Sequence, residues 1–230
     1  SAGCAVNDFA DRKIDPHVER TKNRPLASGK LSSKEALLLF FVLGIAAFLL
    51  VIQLNKITLL LSIGAIILAA SYPFMKRYHS LPQVHLGIAF AWSVPMAYSA
   101  VTGSLPTLAG WLIFVATVLW TIAYDTMYAL TDKPDDLKIG VKSTAILFGE
   151  KNRLIIGVFQ LLMLFTLLSV GLLSGLGGAY YSALIVSAVF MGYQHYLLSQ
   201  SETENGLPAF LNNNWVGMII FMGILLDYAY

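Results

Sequence analysis

Charged residues are scarce in this chain of 230 residues. Asp, Glu, Lys and Arg together make up 12% of the sequence, whereas hydrophobic residues make up 57%. Soluble globular domains carry roughly 25% charged residues, so this composition does not suit a soluble surface. The mean hydropathy of +0.69 and the gathering of the charges into a few clusters indicate a polytopic membrane protein instead.

Cysteine and clusters of metal-binding side chains are also lacking. The one cysteine, Cys4, excludes an intramolecular disulfide. The histidines are scattered and do not form a metal constellation: His17, His79, His85 and His195. No glycine-rich phosphate loop follows a strand, and no nucleophilic Ser or Cys stands near a plausible base. These absences argue against zinc enzymes, nucleotide-binding loops and covalent hydrolases.

Seven apolar runs have the length of a membrane-spanning helix, about 17 to 25 residues. They lie at 35–54, 56–75, 83–102, 108–130, 153–175, 178–198 and 214–229. Barrel strands would alternate in short segments, whereas these runs are apolar all round, so an all-α transmembrane bundle is predicted. Residues 1–11 indicate the end of a further helix. Because no initiator Met or signal peptide precedes them, we expect the natural chain to begin earlier.

Positive charge is concentrated on one face of the predicted bundle. Following the chain through the seven spans places all 15 Lys and Arg residues except Lys56 on the same side. That side holds the segments 12–34, 76–82, 131–153 and 199–213. By the positive-inside rule it is cytoplasmic, and the C-terminus lies on the opposite side.

An acidic helix face is predicted near the start of the chain. In the stretch NDFADRKID, Asn7, Asp11 and Asp15 recur every fourth residue. A continuous helix would stack them on one face with Asp8 beside them. Like charges at this spacing destabilise a helix unless a positive charge lies between them. A single aspartate at a helix end is most often a solvated cap, so each acid alone proves little.

A second acidic face repeats the pattern far along the sequence. In YDTMYALTDKPDD, Asp132 and Asp136 keep the four-residue step, and Asp125 precedes them by two helical turns. Two matching groups at one membrane level favour a function, because acids in spanning segments are costly and usually functional. Hard oxygen ligands suit magnesium, which keeps several waters and bridges to phosphate oxygens. A site for metal and diphosphate is therefore predicted.

Cations flank both acidic groups and have the chemistry to hold a leaving diphosphate. They are Arg12, Arg20, Lys22, Arg24, Lys76, Arg77, Lys138 and Lys142. Taken singly, each is explained as well by the positive-inside rule. Lys76 stands out, because Tyr72 shares its helical face one turn earlier.

Aromatic side chains within the spans have two possible roles. Those near span ends indicate an interfacial belt. Others are better placed to line a cavity: Trp92, Tyr98, Trp120 and Tyr124. Packing is the simpler explanation for them, but an aromatic wall would also stabilise a carbocation through cation–π attraction.

Three of these motifs together resemble the signature of the UbiA family of intramembrane prenyltransferases. NDFADRKIDPHVERTKNRPLASG is similar to the first aspartate motif and its Arg-Pro-Leu loop, YDTMYALTDKPDDLKIGVKSTAILFG to the second, and YPFMKR to a Tyr-x-x-x-Lys element. The similarity covers the whole chain. LPQVHLGIAFAWSVPMA and FLNNNWVG resemble the bacterial branch that prenylates 4-hydroxybenzoate for ubiquinone.

The resemblance implies a fold and a set of site residues. It implies a nine-helix bundle, of which residues 1–230 would form one prenyltransferase domain that starts at the end of the second helix. The residues implied to hold Mg²⁺ are Asp11, Asp15, Asp132 and Asp136, and these four together with Arg77 are expected to act in catalysis. Those implied to support this shell or to bind substrate are Asn7, Asp8, Arg12, Arg24, Tyr72, Lys76, Asp125 and Lys142. Arg77 or Arg24 is expected to bind the benzoate carboxylate.

The implied reaction is magnesium-dependent transfer of a polyprenyl group from an allylic polyprenyl diphosphate to the ring carbon ortho to the hydroxyl of 4-hydroxybenzoate. The expected place is the bacterial inner membrane with its lipid, and no nucleic-acid partner is expected. Other acceptors stay open: naphthoate, haem, chlorophyllide, homogentisate or a glyceryl phosphate. A transporter or ion channel is the alternative from another class. Against it, the acids cluster at one mouth and no inverted repeat is visible.

Overall fold

The computed structural model describes residues 2–229, which form a bundle of α-helices. In chain order these are α1 Ala2–Asp11, α2 Ser33–Val51, α3 Lys56–Met75, α4 Pro82–Ala91, α5 Ser93–Thr102, α6 Leu108–Ile139, α7 Thr144–Phe148, α8 Asn152–Ser174, α9 Gly178–Gln200 and α10 Glu202–Ala229. Short 3₁₀ turns occur at Asp15–His17 and Gly149–Lys151. No strand occurs within residues 2–229, so the predicted all-α class is confirmed.

Six stretches of the described chain are long and apolar enough to cross a membrane, and they match six of the seven predicted spans. They are Ser33–Val51, Lys56–Met75, Pro82–Thr102, Leu108–Ile139, Thr144–Ser174 and Gly206–Ala229. The seventh prediction, 178–198, falls in α9, which has 23 residues but is too polar to count with them. Ser187 and Gln194 of α9 are fully buried, because this helix packs against α8 and α10.

The outer surface of the bundle is apolar. On α2, for example, Leu38, Phe41 and Leu50 are 63%, 60% and 68% exposed. A soluble monomer rarely exposes such a contiguous apolar surface. These side chains therefore face lipid, as expected for an integral membrane helix.

The predicted span 83–102 is two helices, α4 and α5, which meet at Trp92. Pro95 explains the break, because its ring lacks an N–H and crowds the carbonyl four residues earlier. The Trp92 indole Nε1 donates to the carbonyl of Leu61 on α3 at 2.8 Å. This hydrogen bond, made at the junction of α4 and α5, attaches both helices to α3.

The long helix α6 is the hub of the fold, because it packs against α4, α5, α7, α8 and α10. The prediction that its span ends at residue 130 and that 131–153 is a loop was wrong. The helix continues through Pro134 to Ile139. Asp125, Asp132 and Asp136 therefore stand on one continuous helix, with the periodicity that the sequence predicted.

The first acidic group departs from its predicted helix. Helix α1 ends at Asp11, the chain turns with Ile14 N–H donating to the Asp11 carbonyl at 2.7 Å, and Asp15 begins a 3₁₀ turn. Pro16 accounts for this, since a residue before proline is disfavoured in the α conformation. The prediction that Asn7, Asp11 and Asp15 share one helical face was therefore wrong for Asp15.

The segment 199–213, predicted as a loop, lies mostly inside α10, which begins at Glu202. Helix α10 approaches α6 very closely at Gly206. A Cβ atom at Gly206 would lie 2.5 Å from the carbonyl oxygen of Met127 and 3.1 Å from the backbone nitrogen of Thr131. The absence of a side chain at this position lets the two helices touch.

We expect Gly206→Ala to lower the stability of the protein, because the clash is with backbone atoms that cannot move cheaply. Overpacking of this kind costs about 1–3 kcal/mol, which exceeds the gain of about 1 kcal/mol from replacing a helical glycine by alanine. Gly192→Ala in α9 is the matched control, because nothing lies within 4 Å of its Cβ position. Thermal unfolding in detergent should show a lower Tm for the first variant only.

Candidate active site

A cavity of about 190 Å³ lies where α1, α3, α4 and α6 meet the loop 12–32. Both acidic groups face this cavity, and so do cations from three separate segments. Its acidic residues are Asp11, Asp15, Asp125, Asp132 and Asp136. Its basic residues are Arg20, Arg24, Lys76 and Lys142. The fold thus brings together residues that are more than a hundred positions apart.

The acids of the first motif are buried and paired with cations. Asp11 and Asp15 are 2% and 4% exposed. Lys76 Nζ lies 2.5 Å from Asp11 Oδ2, and Arg24 lies 3.2 Å from Asp15 Oδ2. Arg24 also donates to Asp8 Oδ1 at 3.0 Å. Pairing of this kind is needed because a buried carboxylate without a counter-charge is very costly.

The loop 12–32 is attached to α6 by Arg20. Its guanidinium donates two hydrogen bonds to the Asp132 carboxylate, at 2.9 Å and 2.5 Å, and lies 4.4 Å from the ring centre of Tyr128. Burial opposes the charge of Arg20, but the hydrogen bonds and negative charge of Asp132, together with Tyr128 and Asp15, outweigh it and raise the pKa of the guanidinium above its usual range. Arg20 therefore stays protonated and fixes this loop across the cavity.

The chain after α6 returns to the cavity because of a glycine. Gly140 ends α6 with φ of 72°, a left-handed conformation that glycine adopts without steric cost. Lys142 N–H then donates to the Lys76 carbonyl at 3.2 Å, and Gln83 Oε1 accepts from Thr144 N–H at 3.0 Å. These bonds place the segment 141–143 against α3 and α4 at the cavity wall.

The donor atoms of the cavity suit a hard metal ion. Within residues 2–229 no three His, Cys, Asp or Glu side chains stand close enough to form a complete metal site, and the carboxylates pair with cations. However, Asp11 Oδ1 is buried and accepts no hydrogen bond from residues 2–229, although Arg77 lies 3.8 Å away. A free buried oxygen among several aspartates is the kind of ligand that magnesium prefers. The residues present therefore fit such an ion by their chemistry.

Most of the predicted site residues line this cavity, and three do not. Besides the acids above, the lining includes Asn7, Arg24, Tyr72, Lys76 and Lys142. Tyr72 Oη donates to Asn7 Oδ1 at 3.3 Å. Asp8 contacts the site only through Arg24.

Arg12 and Arg77 lie outside the lining. Arg12 is exposed, donates to the Phe9 carbonyl at 2.6 Å and covers the Phe9 ring. Arg77 donates to the Ala10 carbonyl and lies 3.8 Å from Asp11 Oδ1. Both arginines thus contact the end of α1 and do not face the cavity.

The structure adds lining residues that the sequence did not single out, among them Thr21, Gln83, Tyr128 and Ser143. Tyr128 could have been found, because it precedes Asp132 by one helical turn on the same face. Thr21, Gln83 and Ser143 carry no such signal. Arg20 was one of many basic residues in the sequence, and only its pairing with Asp132 distinguishes it.

A second cavity, of about 360 Å³, adjoins the first and is largely apolar. It is lined by Phe90, Trp120, Tyr124, Phe210, Asn213, Asn214, Gly217 and Met218. Phe210 of this lining contacts Tyr128 of the first cavity, with ring centres 4.9 Å apart, so the walls of the two cavities touch. Of the aromatic residues considered for a cavity wall, Trp120 and Tyr124 line it. Trp92 instead packs on Phe114, and Tyr98 lies next to Gly110.

Comparisons with known proteins agree with this arrangement. The model of the UbiA prenyltransferase family matches residues 1–225. Proteins named 4-hydroxybenzoate octaprenyltransferase from Klebsiella pneumoniae and Vibrio campbellii are each 55% identical over 228 residues, which is 99% of this chain and 79% and 80% of theirs.

Solved structures show the same fold. A UbiA homologue from Aeropyrum pernix has a TM-score of 0.86 at 28% identity, covering 99% of this chain and 84% of that chain. One from Archaeoglobus fulgidus, bound to GPP and Mg²⁺, has a TM-score of 0.69 at 18% identity, covering 95% of this chain and 82% of that one. With the family match over nearly the whole chain, these findings establish that the protein belongs to the UbiA prenyltransferase family.

Proposed function

We propose that this integral membrane protein transfers a polyprenyl group from an allylic polyprenyl diphosphate to the carbon ortho to the hydroxyl of 4-hydroxybenzoate, in ubiquinone biosynthesis. One observation carries the proposal: a cavity lined by carboxylates and cations adjoins an apolar, aromatic-lined cavity inside the bundle. The 55% identity to proteins named for this reaction supports the choice of acceptor.

The carboxylates of the first cavity are the proposed ligands of Mg²⁺. Asp11, Asp15, Asp132 and Asp136 would hold the ion or ions, and Asn7, Asp8 and Asp125 would support them. The buried Oδ1 of Asp11, which accepts no hydrogen bond within the described chain, and the purely oxygen-based donor set support this assignment. Bound magnesium would offset the negative charge of the diphosphate and so favour its departure.

The cations of the first cavity are the proposed binding groups for the diphosphate. Lys76 and Arg20 pair with carboxylates in the structure, so each already lies beside a proposed metal ligand. Diphosphate oxygens would replace the carboxylates as their partners, and charge-assisted hydrogen bonds would hold the leaving group. Lys142 lines the same cavity and would act with them.

The bond changes follow from this placement. The allylic carbon–oxygen bond breaks, and the diphosphate leaves with the bonding electrons toward Lys76 and Arg20. The ring carbon ortho to the phenol then forms a bond to the allylic carbon and loses its proton to the departed diphosphate, which restores aromaticity. The prenyl cation would react with water if water reached it, so the apolar second cavity protects the intermediate by excluding solvent. The ring of Tyr128, which lines the first cavity and contacts Phe210 of the second, would also stabilise the positive charge.

The orientation of the protein follows from its charges. The basic face that carries the aspartate motifs lies in the cytoplasm under the positive-inside rule, and the C-terminus lies on the other side. The relatives named above are bacterial, which supports an inner-membrane location. Both substrates would reach the site from this membrane: the polyprenyl diphosphate through lipid and 4-hydroxybenzoate from the cytoplasm.

Purified protein in lipid nanodiscs should convert 4-hydroxybenzoate and farnesyl diphosphate into prenylated 4-hydroxybenzoate, with one diphosphate released per product. Chelation of divalent ions should stop the reaction, and added Mg²⁺ should restore it. Product is measured by mass spectrometry and diphosphate by a coupled assay.

A panel with naphthoate and homogentisate tests the acceptor: preference for either would overturn the assignment to 4-hydroxybenzoate. If none of the acceptors is prenylated, the proposed prenyl transfer is refuted.

Asp11→Asn and Asp132→Asn should each lower kcat by at least about a hundredfold, the usual loss when one group that stabilises developing charge is removed. Asp135→Asn is the matched control, since Asp135 stands on the same helix but pairs with Lys138 outside the cavity. The control should retain nearly full activity. Near-wild-type kcat for Asp11→Asn and Asp132→Asn at saturating Mg²⁺ would remove both residues from the proposed metal site.

Two arginines were expected to bind the benzoate carboxylate, and we assign this role to Arg24 because Arg77 lies outside the cavity. Arg24→Gln should raise the KM for 4-hydroxybenzoate about tenfold, the loss of one charge-assisted hydrogen bond. Arg77→Gln should leave that KM unchanged and lower thermal stability, since Arg77 holds the end of α1. The reverse pattern of KM values would return the role to Arg77.

A further inference from the structure

The indole of Trp120 is held by an asparagine inside the membrane-spanning part of the bundle. Trp120 Nε1 donates to Asn213 Oδ1 at 2.8 Å, which links α6 to α10. An indole N–H cannot find water among apolar side chains, so this bond satisfies a group that would otherwise be unpaired. The hydrogen bond therefore decides which way the indole faces.

Asn213 is itself fixed in place. It is 6% exposed, and its Nδ2 donates to the carbonyl oxygens of Ala209 and Phe210 at 3.1 and 3.2 Å. Its Nδ2 also lies 3.8 Å from Met127 Sδ of α6, and with the amide nitrogen held by these acceptors, Oδ1 faces Trp120. The side chain thus acts as a rigid acceptor for Trp120.

The six-membered ring of the Trp120 indole lies against the backbone of α10 at Gly217. A Cβ atom at Gly217, one turn after Asn213 on α10, would lie 2.7 Å from Trp120 Cη2. Only a glycine leaves room for the ring there. Asn213 and Gly217 together hold the indole against α10, so that it forms part of the wall of the second cavity.

An aromatic row connects this wall to the charged cavity. Trp120 contacts Tyr124 edge-on, with ring centres 5.8 Å apart, and Tyr124 contacts Phe210 at 5.7 Å. Phe210 contacts Tyr128 at 4.9 Å. Since Tyr128 lines the charged cavity, the row leads from the proposed reaction centre to Trp120, which stands at its far end.

We propose that Asn213 is a positioning residue for donor selection: it holds the Trp120 indole as the wall along which the isoprenoid chain lies, beyond the units nearest the diphosphate. This inference rests on the proposed prenyl transfer. A released indole would turn into the cavity, where it would obstruct a long chain. A short donor ends near Tyr128 and would not reach Trp120. The Trp120–Asn213 pair thus favours long donors over short ones.

The test compares geranyl diphosphate with a long polyprenyl diphosphate, in the protein embedded in nanodiscs. Asn213→Leu should lower kcat/KM about tenfold for the long donor, as expected for loss of one buried hydrogen bond. The values for geranyl diphosphate and the KM for 4-hydroxybenzoate should change less than twofold. Gly217→Ala should give the same selective loss, because it displaces the indole from the opposite edge.

Two controls separate this role from general destabilisation. Asn212→Leu removes the neighbouring amide, which accepts from Gln194 and does not contact Trp120. Gly192→Ala adds a methyl group in open space. Both should keep the wild-type preference between donors. Equal losses for both donors in Asn213→Leu would show a structural role only and overturn the proposal.

A double-mutant cycle identifies the partner through which Asn213 acts. Trp120→Phe lacks the indole N–H, so adding Asn213→Leu to it should cost nothing further for the long donor, whereas independent effects would add. Additive losses would overturn the proposal.

If wild-type protein transfers no prenyl group at all, the proposed function fails instead. If wild-type protein transfers both donors but Asn213→Leu matches it, only the inference about donor selection fails.

Discussion

The burial of several carboxylates at one end of an apolar bundle is the constraint on which the rest of this structure depends. Asp11 and Asp15 are almost completely inaccessible, and an unpaired buried charge is among the most costly features that a fold can contain. Counter-charges must therefore come from elsewhere in the chain. They come from the loop 12–32 and from the end of α3, and this requirement fixes those segments around α6.

Charge pairing also explains how one set of cations can serve both the fold and a reaction. Breaking a buried ion pair by removing one partner is strongly unfavourable, because the other charge is left uncompensated. Under the proposed function, Lys76 can leave Asp11 for a diphosphate only when another positive charge takes its place beside the carboxylate. Metal and diphosphate binding are then coupled, since each supplies the partner that the other displaces.

The sequence predicted the parts of the site that depend on local periodicity. Asp125, Asp132 and Asp136 were placed on one face of one helix, and α6 shows that face. Asp15 departed from its predicted helix because Pro16 ends it, a local rule that the spacing argument did not weigh. The pairing of Arg20 with Asp132 could not be predicted, because it joins residues 112 positions apart and every basic residue of the loop was an equal candidate. The packing of the polar helix α9 could likewise not be predicted, because Gln194 forms its hydrogen bonds with residues of α8 and α10 that are distant in sequence.

The apolar half of the bundle obeys the same rule as the charged half. Inside hydrocarbon a polar side chain must find its partner in the protein, so each buried amide specifies a contact between helices. Gln160, Gln194 and Asn212 join α8, α9 and α10 by hydrogen bonds of 2.7 and 3.0 Å, and the adjacent Asn213 joins α10 to Trp120 of α6. Of these amides, only Asn213 contacts the aromatic wall of the second cavity through Trp120. Under the proposed donor selection, the position of that wall, and with it the fit of a long donor chain, depends on a polar group that does not meet the diphosphate.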